Sequence, residues 1–199
     1  MVVLGRVASA QAEGYAPSLV TEARKGLKSV IARFTQTRTV GLLAADVTSR
    51  GTMTIVTPDR LRWELAAPDA IIYWIGPEGI AYRTEKGVVK AGKEAAGRFG
   101  AVLGDLLVFM AGDFAALAPR YVITAPARDK DGTLHLVAEP RTDDVKKLVK
   151  VVRIDTTPDL WAVRRVEIEE AGGDKSVIEF GPSQRDPQVA PATMRPPKV

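Results

Sequence analysis

The sequence has no cysteine and a single histidine, His135. Without cysteine there are no disulfides, thiolate metal sites, cysteine nucleophiles or lipid-modified N-terminal cysteine. One histidine removes most zinc and non-haem iron arrangements, which need several imidazoles. Any Ser-His-Asp machinery would have to run through that one ring. Aromatic residues are scarce, at 6%. No apolar run approaches the roughly 20 residues that span a bilayer. The charge imbalance is small: 28 Lys and Arg against 24 Asp and Glu leave +4, with no long basic run. That argues against nucleic acid as a partner. No Gly-x-Ser-x-Gly elbow and no P-loop occurs. These absences point away from an enzyme, a metal or a cofactor, and towards a binding or carrier protein.

What is present is a globular composition, 46% hydrophobic and 26% charged over 199 residues. A chain of that size buries roughly 70% of its unfolded surface as one domain. Residues 1–14 read as a signal-peptide remnant or a disordered arm. Ala8-Ser9-Ala10 and Ala10-Gln11-Ala12 supply the alternating small residues of a signal peptidase site, while Arg6 interrupts the short apolar part before them. Residues 15–199 are expected to form the single domain.

The period of the pattern changes along that domain. Leu19, Ala23, Leu27 and Val30-Ile31 recur at helical spacing after Pro17-Ser18. Residues 30–37 then alternate, which predicts a strand. Strands are also predicted over 51–57 and 60–64, with a turn at Pro58-Asp59. In 60–64, Leu61 and Trp63 face one way, and Arg60, Arg62 and Glu64 the other. Residues 70–75 are apolar at successive positions, so that strand is expected to be covered on both sides. Gly76-Pro77-Glu78-Gly79 is a hairpin loop into 80–84. From 94 to 117, Phe99, Val102, Leu103, Leu106, Met110, Phe114 and Leu117 sit at helical spacing, interrupted by Gly97, Gly100, Gly104 and Gly112. Each glycine costs about 1 kcal/mol against alanine, so this helical stretch is soft. Strands are predicted again over 120–124, 133–138, 148–155, 163–169 and 176–180. The tail from Pro182 reads as weakly structured, with room for a short strand over 189–194. Sequential strands joined by short turns make a meander that bends into a half-barrel. The fold class is therefore α+β: an incomplete antiparallel β-barrel with an N-terminal helix and a helical lid over a hydrophobic cavity.

Few residues offer chemistry. His135 is out of phase with Leu134 and Leu136, which makes it a surface or edge histidine rather than a general base. Asp143-Asp144 sits beside Arg141, Lys146 and Lys147, as in a solvated hairpin, and Glu167, Glu169 and Glu170 mark the wet face of a strand. Arg60 and Arg62 alternate with Trp63, which separates charge from aromatic and argues against base stacking. The large apolar side chains are the remaining signal. Most of them belong to an ordinary core; together they also suit a cavity for an acyl chain beneath the glycine-broken helix.

At this point the sequence resembles the periplasmic lipoprotein carrier family of the LolA type, as a diverged member. Phe34-Thr35-Gln36-Thr37 is similar to the family's Phe-x-Gln strand. Gly51-Thr52-Met53 and Pro58-Asp59-Arg60-Leu61-Arg62-Trp63-Glu64 resemble its Gly-x-Leu and Pro-x-x-hydrophobic-Arg-Trp stretch. Pro68, the Gly76-Pro77-Glu78-Gly79 hairpin and Ile80-Ala81-Tyr82 follow in the family's order. So do Leu136-Val137-Ala138-Glu139-Pro140-Arg141, Ile154-Asp155, and Gly172-Gly173-Asp174 leading into Val177-Ile178-Glu179-Phe180. The resemblance implies a soluble, monomeric periplasmic carrier of acylated lipoproteins or other lipid. It would receive cargo from an inner-membrane transporter and deliver it to an outer-membrane acceptor, without a stable membrane anchor. A related receptor of similar fold is lipid-anchored through a cysteine, which this chain lacks. The family's arginine before the strand-turn proline, tied to lid closure and release, is Thr57 here, and the following aromatic is Leu61. The lipid-binding residues expected on this reading are Phe34, Leu61, Trp63, Trp74 and Tyr82 from strands, with Leu103, Leu106 and Met110 from the lid. The alternative is a regulatory or sensor module of the same fold that binds an acylated or exporter-associated protein partner.

Overall fold

The computed structural model describes residues 17–41, 45–91 and 97–197. The N-terminal arm expected over 1–14 lies outside them. A short helix, α1, covers 17–23. The apolar spacing continues to Val30-Ile31, with Gly26 and Ser29 expected to fray the helix near there. It stops earlier because Gly26 takes a left-handed φ of +76°, and Leu27 N–H bonds back to Arg24 O at 2.9 Å. Leu27 is buried from the loop, and Val30 is buried from the first strand.

The strands form one antiparallel sheet that does not close into a barrel. The first half is a meander: β1 (Ser29–Thr39), β2 (Val47–Val56), β3 (Arg60–Leu65), β4 (Ile72–Gly76), β5 (Gly79–Thr84) and β6 (Gly87–Ala91). Then come helix α2 (Gly97–Ala111) and the single turn α3 (Phe114–Leu117). The second half is β7 (Tyr121–Arg128), β8 (Leu134–Pro140), α4 (Asp143–Lys146), β9 (Val149–Thr156), β10 (Val163–Glu170) and β11 (Lys175–Phe180). The sheet order is β6-β5-β4-β3-β2-β1-β11-β10-β9-β8-β7, with the short β12 (Gln184–Arg185) also on β1. The halves are joined where β1 pairs β11, Phe34 opposite Phe180. The two outer strands, β6 and β7, are linked through the helical segment instead of by pairing.

Four details differ from the sequence reading. Strand β6 lacked a sharp alternation, and β12 is only two residues long. Asp143 and Asp144 start a helical turn, with Val145 buried beneath it, where a hairpin had been expected. Residues Pro191–Met194 form a 3₁₀ turn rather than a strand. The tail is pinned, not loose. Asp186 Oδ1 accepts the N–H groups of Lys28 and Ser29 at 2.6 and 3.2 Å, and Thr193 O accepts Trp74 Nε1–H at 3.0 Å. Prolines that break ladders do not prevent side-chain and carbonyl contacts, so composition alone misjudged this segment.

Register sorts the side chains. Ala32, Met53, Trp63, Tyr73 and Tyr82 form one row across β1 to β5, and Leu136, Ile154, Val166 and Ile178 another across β8 to β11. Most of these join the main apolar cluster with Leu106, Phe109 and Met110 of α2. The opposite face carries ion pairs: Glu167 meets Arg153, Arg165 and Lys175 at 3.1, 2.6 and 2.9 Å. Its pKa is pushed up by burial and pulled further down by hydrogen bonds from Arg165 and Lys175, leaving it below the usual range.

Gly51 fixes the geometry of the apolar face. A Cβ there would lie 2.1 Å from Glu64 O and 2.5 Å from Phe34 Cζ. Glycine thus lets the Phe34 ring cross β2 and stack on Trp63, with centroids 3.9 Å apart. Gly51→Ala is expected to destabilise the protein by about 1–3 kcal/mol through overpacking. Equilibrium urea unfolding, with an unchanged m-value and a lower midpoint, checks it.

Candidate lipid-binding face and its lid

Five of the eight residues singled out by sequence come together. Phe34, Leu61, Trp63, Leu106 and Met110 are all buried in the main cluster. Phe180 completes an aromatic trio, with its ring centroid 6.2 Å from both Phe34 and Trp63. Tyr82 extends the same row outward, half-buried, 6.0 Å from Tyr73. Leu103 is in α2, but its side chain lies outside the described residues. Trp74 is a correction. It pairs with Arg62 and so faces away from Trp63. There it forms a separate small cluster with Ile72 and Ala81, near the pinned tail. The strand is covered on both sides, as its continuous apolar run suggested, and that same run hid which side Trp74 takes.

The lid α2 is held by polar tethers as well as by packing. Its C-terminus is a Schellman turn: Asp113 N–H reaches Val108 O, and Gly112 N–H reaches Phe109 O. That leaves later carbonyls without helical donors. Arg24 Nη1–H bonds Met110 O, and Thr21 Oγ1–H bonds Gly112 O at 3.1 Å. Arg24 Nε–H also reaches Trp161 O at 2.9 Å. The Arg24 residue is 7% exposed, and burial pushes its pKa down to about 10. Gly112 is required here twice: its φ is +76°, and a Cβ would sit 2.6 Å from Arg24 Cδ. Further along α2, Asp105 Oδ2 accepts Tyr121 OH at 2.6 Å and Arg120 Nη2–H at 3.0 Å. Burial raises the Asp105 pKa, opposed by the hydrogen bond from Tyr121 and the charge of Arg120. Sequence reasoning missed Arg24, Thr21, Asp105 and Tyr121. A polar residue on a helix carries no periodic signal of its distant partner.

Thr57, at the position where an arginine was expected from the resemblance, serves a different connection. Its Oγ1 donates to Leu27 O at 2.7 Å and Lys28 O at 3.2 Å, which holds the α1–β1 loop.

Between lid and sheet, a small pocket has a volume of about 10 Å³, room for about one water molecule. It is lined by Asp105, Leu106, Phe109, Tyr121, Val149, Val152 and Ile168. Ligand sites usually occupy ~300–1,000 Å³. Helix α2 therefore leaves little empty space over this part of the apolar face.

The other chemical candidates are engaged structurally. His135 is held between two carboxylates, Nδ1 to Asp155 at 2.8 Å and Nε2 to Asp129 at 3.1 Å. Both ring nitrogens are occupied, which suits neither nucleophile activation nor metal binding. Among the described residues, no group of three or more His, Asp or Glu side chains is arranged to hold a metal ion. Glu169 meets Lys150 at 2.6 Å, and that hydrogen bond holds its pKa below the usual range.

Residues 25–76 match the family model "Outer membrane lipoprotein carrier protein LolA". That segment includes Phe34, Gly51, Pro58 and Trp63; the motifs after Gly76 lie beyond it. No curated protein matches the chain by sequence. Among solved structures, the fold is similar to that of an uncharacterized conserved protein from Thermus thermophilus, at 8% identity over 92% of this chain and 95% of that one, with a TM-score of 0.57. It is also similar to a DUF1329 family protein from Desulfovibrio piger, at 10% identity over 92% and 97%, TM-score 0.50. A third is from the Pseudomonas aeruginosa MucA/MucB complex, at 10% identity, TM-score 0.51. Our chain is covered to 94% in that match and spans 61% of that chain. The architecture shared with these proteins is the unclosed antiparallel sheet with few helices. No helix among the described residues is long and apolar enough to cross a membrane.

The tethers and the histidine each give a testable outcome. Arg24→Leu leaves buried carbonyls without donors, so stability is expected to fall by about 1–3 kcal/mol. Amide exchange should accelerate first over 104–112, measured by hydrogen exchange with mass spectrometry. For His135, the hydrogen bond to Asp155 is the main cause of a pKa raised above 6.5. Its stabilisation is full below the unfolded-state value and is lost as pH rises through the folded value. An NMR titration should give a His135 midpoint above 6.5, moving down in Asp155→Asn.

Proposed function

We propose that this chain, a diverged LolA-like protein, is a soluble, monomeric periplasmic carrier. It binds the acyl chains of lipoproteins, or another lipid, on the apolar face beneath α2. It takes cargo from an inner-membrane transporter and passes it to an outer-membrane acceptor, with no catalytic step, cofactor or nucleic acid involved. The observation that carries this reading is the pairing of an aromatic-rich sheet face with a helix that covers it but is not part of the sheet. The lid is soft through Gly100 and Gly104 and is held by a few polar contacts. Displacing it exposes Phe34, Leu61 and Trp63 to a guest while leaving the strand ladder intact. Trp74 is not part of this site.

A second reading is a same-fold module that binds an acylated or exporter-associated protein partner without carrying lipid. The small pocket favours it, since the lid already covers the apolar face. Partner binding that survives a blocked pocket distinguishes it.

The test of the carrier is tryptophan fluorescence during titration with fatty-acyl ligands of increasing length. The Trp63 signal is expected to change, to disappear in Trp63→Phe and to persist in Trp74→Phe. Each added methylene should tighten binding about fourfold, from about 0.8 kcal/mol per buried group. No response at any chain length removes the carrier reading.

A further inference from the structure

The Asp105 cluster holds more polar capacity than a tether needs. Asp105 is on α2 with a side chain only 12% exposed, and it borders a pocket otherwise walled by Leu106, Phe109, Val149, Val152, Ile168 and Tyr121. Both of its partners converge on one oxygen. Tyr121 OH and Arg120 Nη2–H each donate to Oδ2. Among the described residues, no hydrogen bond reaches Oδ1. A carboxylate oxygen beside an apolar pocket is a strong acceptor, and charge-assisted hydrogen bonds to it are about twice as strong as neutral ones.

The local charge sets the sign of the group that fits. Asp144 adds a second negative charge that acts on Asp105, and Arg120 is the countering cation. Arg120 is not on the pocket wall; its Nη2–H donates to Asp105. A carboxylate or phosphate head entering the pocket meets the Asp105 charge on its wall, while the Arg120 guanidinium that counters it does not line the pocket. A head with N–H or O–H donors meets an oxygen that no hydrogen bond among the described residues uses.

We infer that this pocket selects amphiphiles whose head is a hydrogen-bond donor without negative charge, an ammonium foremost, and that Asp105 is the residue that selects it. The inference rests on the carrier reading, because the apolar part of the same molecule lies beneath α2. The overall charge of +4 acts in the opposite direction, attracting anions in general. A preference for a cationic head would therefore be local.

The experiment titrates dodecylammonium, dodecanoate and dodecyl maltoside at neutral pH into the wild-type protein, Asp105→Asn and Tyr121→Phe, with Trp63 fluorescence as readout. Dodecylammonium is expected to bind wild type about tenfold more tightly than dodecanoate. In Asp105→Asn the ratio of the two charged probes should shrink to within about threefold, and dodecyl maltoside, whose hydroxyls also donate, should weaken less than dodecylammonium. Tyr121→Phe keeps the carboxylate and should keep the preference, which preserves the test if Asp105→Asn folds poorly. Equal binding of the two charged probes, tighter dodecanoate, an unchanged ratio in Asp105→Asn, or loss of preference in Tyr121→Phe overturns the role of Asp105 and leaves the carrier standing. No binding of any probe overturns both.

Discussion

An unclosed β-sheet with one apolar face must cover that face with something other than strands. Here β6 and β7 do not pair with each other, so Trp63, Phe34, Phe180 and their neighbours cannot be enclosed by a barrel wall. Helix α2 and the turn after it take that place. Leu106, Phe109 and Met110 bury themselves against the sheet, and the aromatic stack beneath them depends on the missing Cβ of Gly51. Everything proposed for the molecule follows from this covering element being attached differently from the sheet it covers. The strands between the two edges, β6 and β7, are locked by ladders on both sides, whereas the helix rests on side-chain packing and a few hydrogen bonds.

Those few bonds are placed where a helix most needs them. The carbonyls beyond the Schellman turn receive Arg24 and Thr21 from α1 and the turn after it, and a buried carboxylate within the helix meets Tyr121 and Arg120 from the start of β7. Each is costly to leave half-made, since a buried donor or acceptor without its partner loses more than the bond itself contributes. A lid held this way has defined resting contacts without a large stabilising margin. The expected arginine at position 57 is replaced by a threonine that serves another connection, and the lid contacts come instead from the N-terminal helical segment. The polar outer face is separate: Glu167 and its three cations stiffen β9 to β11 without facing the pocket.

The legible part of this architecture was periodic. Alternation in 60–64 placed Leu61 and Trp63 together, and the structure keeps them on the apolar face. The helical spacing of Leu106 and Met110 placed them on the lid. The unreadable part was whatever lacked a period or depended on a distant partner. Trp74 sits in a run that is apolar at successive positions, so alternation gave no face, and cross-strand register with Arg62 settled it. The proline-rich tail looked loose, yet Asp186 and Thr193 attach it to β1 and β4. The spacing of Leu27 and Val30 continues past the first helix, which ends before Gly26, one of the two residues where fraying was expected.

The sequence by itself determined the class of the molecule. The order of its strands and glycine-broken helix pointed to an α+β fold with an incomplete barrel, and its short motifs pointed to a LolA-like one. These are local properties, set by residue type and spacing. Only the tertiary structure decided which large side chains share a face, how small the space beneath the lid is, and that Arg24, Thr21 and Asp105 hold the lid. Those outcomes depend on register and on contacts between residues 137 and more positions apart, and a one-dimensional pattern records neither.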